Sequence, residues 1–295
     1  MLLIKYKAIY TNKTLFFSTY CIQIIKDKNT LLFLHIISKC KAYFNLNIMV
    51  KQIPNIITSL NLLCGCIAVI FAVSDNLITA SFFVFFGIFF DFFDGFAARM
   101  LKAQSEVGLQ FDSLADMITS GLAPGIVMVQ LLSHAIFGVG FQEIITNEGF
   151  SIIENFSNFL PLIGLMIVIA SAYRLAKFNV DTRQTDSFIG LPTPANALLI
   201  LSLPLILHFQ YSVWLEEIIL NIWFLIGLTL VSSMLLNAEI ALFALKFKIW
   251  DFGKNKLRYI FIALCVALIV LLHFIAIPIL ILLYIILSLF QKRDK

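Results

Sequence analysis

Residues 82–120 read FFVFFGIFFDFFDGFAARMLKAQSEVGLQFDSLADMITS, and two features of that stretch decide the fold. With its apolar flanks it supplies two helices of the length that crosses a hydrocarbon core, about 20 residues each. Yet it carries Asp91, Asp94, Asp112 and Asp116, and an aspartate well inside a bilayer costs roughly 2.5–3.5 kcal/mol. Four of them approach about 10 kcal/mol before mutual repulsion, so something must offset the charge. At about 100° per residue Asp91 and Asp94 share a helix face with Gly87 and Ala98, while Gly108, Asp112, Asp116 and Ser120 follow an i, i+4 ladder. A short loop at 102–106 makes the two helices antiparallel, which sets Asp91 opposite Asp116 and Asp94 opposite Asp112. All four acids then meet at one depth, roughly 6–12 Å from the loop boundary at about 1.5 Å per residue.

The rest of the chain supports a membrane reading. Of 295 residues 61% are hydrophobic and 13% charged, with mean hydropathy +0.97; soluble domains run at about 45–50% apolar and about 25% charged. The expected fold class is all-α, a polytopic membrane helix bundle. Eight spans are expected, near 53–73, 78–98, 109–136, 159–176, 195–209, 218–236, 259–272 and 275–290. With that count all 21 Lys and Arg residues fall in segments on one side, and the other side carries Asp75, Glu143, Glu148, Glu154, Glu216 and Glu217. Bases concentrate in cytoplasmic loops, so both termini and the acidic hairpin are expected to face the cytoplasm. Residues 1–48 have apolar runs too short to span and form an expected poorly ordered or interfacial extension, with Met49 as an alternative start. Residues 49–295 form one membrane domain. Nothing points to nucleic acid, and the five cysteines show no disulfide or thiolate-metal spacing.

Buried carboxylates are tolerated by protonation, by paired bases or by bound cations. Neither helix offers Lys or Arg at that level. Oxygen-only ligands suit hard ions, so two Mg²⁺ or Mn²⁺ ions are expected, a pair that clamps a phosphoryl or pyrophosphoryl group. Gly95, Ala98 and Gly108 open a groove beside the acids, or alternatively serve only close helix packing. At the end of the fourth span, Arg174, Lys177 and Asn179 offer a cation for an acceptor's carboxylate, or ordinary anchoring at the membrane surface. A cation transporter would distribute its acids across the bilayer; here none occupies the far half of any span.

The spacing Asp91, Asp94-Gly95, Ala98-Arg99, Gly108, Asp112, Asp116 resembles in every fixed position the signature of the CDP-alcohol phosphatidyltransferases. Three further stretches, IPNIITSLNLLCG from Ile53, FDSLADMITSGLAPG from Phe111, and AYRLAKFNV with FIGLPTPANA, are similar to its bacterial serine-using branch. Ser113 and Met117 stand where the glycerophosphate-using branch usually has Pro and Lys, and Ser120-Gly121 where the family usually shows a nearby aromatic. The resemblance implies transfer of a phosphatidyl group from CDP-diacylglycerol to the L-serine hydroxyl with release of CMP, in phospholipid synthesis at a bacterial inner membrane. Glycerol phosphate or an inositol-type acceptor is the alternative within the family. It further implies that Asp91, Asp94 and Asp112 hold metal, that Asp116 is the general base and a further ligand, and that Asn55, Thr58, Gly95, Ala98, Arg99 and Gly108 line the CDP-lipid pocket. Membrane lipids surround the chain, and a homodimer is usual in the family.

Overall fold

The structure is a computed structural model, and it describes residues 30–148, 156–181, 188–242 and 264–290. The chain divides into two compact units, Met1–Gln52 and Ile53–Lys295. Of the expected N-terminal extension, residues 30–48 are helical and residues 1–29 lie outside the described residues.

Helix α1 covers Thr30–Val73 and α2 covers Leu77–Met100. The turn between them, Ser74–Asn76, holds Asp75 in left-handed backbone at φ 61°, and Asn76 caps α2 by accepting the Thr79 N–H. Ser105 starts α3 (Glu106–Asp116) by accepting the Gly108 N–H, and Glu106 in the first turn favours the positive helix end. The helix then widens into a π segment, Met117–Leu122, before α4, Ala123–Phe137. Pro124 lies in the first turn of α4 and has no N–H to donate back, so the widened ladder ends there: the Ala123 N–H reaches Ile118, five residues earlier. Gly138 at φ 75° stops α4.

After α5 (Phe141–Glu148), a 3₁₀ segment at Phe156–Leu165 runs into α6, Met166–Val180. Strand β1 (Phe188–Ile189) pairs antiparallel with β2 (Ala241–Leu242). Between them lie α7 (Thr193–Phe209), α8 (Val213–Ile219) and α9 (Ile222–Asn237), and α10 (Ala276–Phe290) follows.

Among the described residues, five helical stretches are long and apolar enough to cross a membrane, or six if α8 and α9, bent by 55°, count as one span. The count of eight differs in two places. Helix α7 is apolar but only 17 residues long, and its position in the core, not its length, marks it. Part of the expected seventh span lies outside the described residues, and Leu264–Ser288 is one apolar run broken by a 3₁₀ turn where His273 takes φ 46°.

Small and aliphatic side chains from α1, α2, α4, α6, α7 and α9 make the core, among them Ala68, Val84, Met128, Ile167, Leu201 and Leu225, all fully buried. Phe86, Phe89 and Phe92 point outward; in lipid an outward phenylalanine carries no solvation penalty.

Candidate functional site

Asp91 from α2 and Asp112 and Asp116 from α3 each aim a carboxylate oxygen into one space, with all three oxygens within 4.8 Å of one another. Among the described residues none of these acids forms an ion pair with Lys or Arg. Asp112 Oδ1 is buried with no hydrogen-bond partner. A buried oxygen in that state is costly unless something else completes it. Oxygen donors from three carboxylates, with no sulfur or imidazole among them, fit a hard divalent cation. Asp94 stands apart from the three: it is 4% exposed, and the Thr58 hydroxyl donates to its Oδ2 at 2.6 Å. The structure therefore brings three of the four expected ligands together and ties the fourth to α1.

Helix α1 also holds Asp116. The Asn61 amide donates to Asp116 Oδ1 at 3.2 Å, and the Asn61 carbonyl accepts from Thr119 Oγ1 at 3.1 Å. Gly65 and Gly87 let this happen, since a Cβ on either would run into Thr119. The backbones of α1 and α2 thus close on the π segment within one turn of Asp116, a place where irregular helix often serves function.

Beside the acids lies a cavity of about 520 Å³ lined by all six residues expected to hold the CDP-lipid: Asn55, Thr58, Gly95, Ala98, Arg99 and Gly108. Asp94 and Asp112 complete one wall. At Gly108 a Cβ would come within 3.0 Å of Ser105 Oγ and 3.2 Å of Asn55 Oδ1, so glycine keeps α1 and α3 close there. At Gly95 the nearest atom to a Cβ would be Arg99 at 3.7 Å. Glycine there leaves the cavity wall open.

Helix α6 packs antiparallel to α3 and α4. Asn179 bonds to Ser113 at 2.9 Å, and eight residues further along each helix a Cβ at Gly121 would come within 3.2 Å of Ser171 Cβ. This register sets Arg174 near Asp116, close enough for their charges to interact. Arg174 is 7% exposed, lies over the Phe178 ring at 5.8 Å and donates to Thr193 Oγ1 at 3.4 Å, while its Nε has no partner. Its two expected companions point elsewhere: Lys177 pairs with Glu239 at 3.6 Å, and Asn179 bonds to Ser113 and Gln110.

Residues 51–231 match the CDP-alcohol phosphatidyltransferase family. The chain belongs to this family. Its relatives include a Bacillus subtilis protein named CDP-diacylglycerol–serine O-phosphatidyltransferase, 32% identical over 55% of this chain and 78% of the relative. A Helicobacter pylori protein of the same name is 32% identical over 61% and 70%, and one from Methanocaldococcus jannaschii is 27% identical over 75% and 86%.

The CDP-alcohol phosphatidyltransferase match includes every residue of the site described above. Within it, sequence reasoning assigned no role to Asn61 or Thr193. Asn61 had a visible signal, a polar side chain one turn after Thr58 in an apolar run. Thr193 lies in the FIGLPTPANA stretch, but its bond to Arg174 was not legible there, because only the fold brings α7 against α6.

Proposed function

We propose that this CDP-alcohol phosphatidyltransferase moves the phosphatidyl group of CDP-diacylglycerol to the hydroxyl of L-serine and releases CMP. The observation that carries the reading is a set of three carboxylates, none in an ion pair with Lys or Arg among the described residues, beside a cavity lined by glycine, alanine and hydroxyl side chains. The names of the relatives support serine as the acceptor. Two divalent ions, Mg²⁺ or Mn²⁺, held by Asp91, Asp112 and Asp116 with Asp94 at the cavity wall, would neutralise the pyrophosphate and the departing phosphate.

Asp116 takes the proton from the serine hydroxyl, whose oxygen then bonds to the phosphorus bearing the diacylglycerol as the phosphoanhydride bond to CMP breaks. Asn61 turns the Asp116 carboxylate by holding Oδ1, leaving the other oxygen for that proton. Arg174 answers the carboxylate of the acceptor. Asn55, Thr58, Gly95, Ala98, Arg99 and Gly108 hold the cytidine diphosphate, while the acyl chains lie in the membrane. The distribution of Lys and Arg supports a site facing the cytoplasm of a bacterial inner membrane, and the homodimer usual in the family is the form in which the protein would work among membrane lipids.

Purified protein is given CDP-diacylglycerol with serine, glycerol phosphate or inositol in turn, with and without chelator, and CMP release is followed. Serine-dependent, chelator-sensitive release is expected. Release with another acceptor and none with serine would overturn the reading.

A further inference from the structure

One helical turn beyond the carboxylates, on the side away from the α2–α3 loop, the bundle buries a second polar layer. Ser120 in the π segment, Ser171 on α6 and Asn196 on α7 are each fully buried. Both serine hydroxyl oxygens and both amide atoms of Asn196 lack hydrogen-bond partners. Native interiors leave few polar side chains unsatisfied, and each such group calls for an occupant.

These residues share a level. Gly121, next to Ser120, faces Ser171 so closely that a Cβ there would come within 3.2 Å of Ser171 Cβ. Thr193 bonds to Arg174, and α7 returns from there antiparallel to α6, so Asn196 moves one turn in the direction that leads from Arg174 to Ser171. Ser120 is one turn past Asp116 and Ser171 about one turn from Arg174. The layer therefore lies beneath the proposed acceptor position, at a helical turn's distance of about 5.4 Å.

We propose that Ser120, Ser171 and Asn196 form the floor of the acceptor site and read the α-ammonium group of an amino-acid acceptor. This rests on the serine-transfer reading and extends it to the feature that separates serine from other alcohols. An ammonium offers donors only, and the layer supplies acceptors for them: two hydroxyl oxygens and Asn196 Oδ1. The Asn196 Nδ2 and the free Arg174 Nε are donors, which suits the carboxylate of the same zwitterion. A bare cation would leave both donors unpaired. A site built to hydrogen-bond a substrate group rejects analogues that lack it, because its own buried atoms then go unsatisfied.

The test compares serine with 3-hydroxypropionate, which keeps the hydroxyl and carboxylate and lacks the ammonium, in purified wild-type, Asn196→Ala and Ser171→Ala proteins whose melting in detergent is also followed. In Asn196→Ala the KM for serine is expected to rise at least about tenfold with the KM for CDP-diacylglycerol unchanged, and the preference for serine over 3-hydroxypropionate to narrow by a similar factor. Ser171→Ala should narrow it by about threefold. A preference unchanged in both variants would overturn the proposal, leaving the layer filled by water alone. If Asn196→Ala does not fold, Ser171→Ala decides by the same ratio. Absence of serine-dependent CMP release in the wild type would instead sink the transferase reading itself.

Discussion

The two ends of the helix bundle treat buried polar groups in opposite ways. Where α2 gives way to α3, Asp91, Asp112 and Asp116 crowd together with no ion-paired base among the described residues, Asp112 Oδ1 has no partner, and a cavity opens beside them. Where α1 gives way to α2, Asp75 is met by His134 Nε2 at 2.9 Å. Close by, Gln130, 2% exposed, uses its whole amide: Nε2 donates to the carbonyls of Ala72 and Val73, and Oε1 accepts the Phe141 N–H at 2.7 Å. One end satisfies its polar groups internally and serves as a clamp. The other leaves them unsatisfied, and in a folded interior that is tolerable only where a ligand completes them.

If that contrast is right, substitutions at the two ends should separate activity from stability. Asp112→Asn should lower serine-dependent CMP release by at least about a hundredfold while the melting temperature in detergent stays the same or rises, since a repelling buried charge is gone. A fall in melting temperature matching the loss of activity would break the comparison. Gln130→Leu should do the reverse. It strands the Phe141 N–H and takes the Gln130 bond from the Val73 carbonyl, while the Ala72 carbonyl keeps the Asp75 N–H, costing about 1–3 kcal/mol of stability in a denaturant titration, with the KM values for both substrates unchanged.

Smaller effects sharpen the picture. Asn61→Ala removes the bond that orients Asp116 and should reduce kcat about tenfold with little change in either KM; a KM effect alone would assign Asn61 to binding. The weakest change belongs to His134→Ala, which breaks a half-exposed pair and should cost no more than about 1 kcal/mol, measured by the same titration, with turnover untouched.

The site residues divide by how local their signals are. Asp91, Asp94, Asp112 and Asp116 announce themselves because charge inside an apolar run is expensive wherever the run folds, and helical periodicity alone puts them on facing sides of a hairpin. Asn55, Thr58, Gly95, Ala98, Arg99 and Gly108 all line the cavity; the three small residues among them stand in register with the acids. Lys177 and Asn179 are near Arg174 along the chain, yet at about 100° per residue they stand roughly 60° and 140° round the helix from it; Lys177 pairs with Glu239, Asn179 bonds to Ser113, and Arg174 is the one of the three whose charge meets Asp116. The separation of Asp94 from the other three depends on the Thr58 hydroxyl of another helix, which no spacing within α2 and α3 reveals.

By itself the sequence determined that the chain is a membrane helix bundle and that its acids gather at one level, because transfer energies and the 3.6-residue period act on each segment independently of its neighbours. Only the tertiary structure decided which polar atoms remain without partners, how the π segment meets Gly65 and Gly87, and that Ser120, Ser171 and Asn196 share a layer. Those outcomes depend on contacts between helices far apart in the chain, and packing, not propensity, sets such contacts.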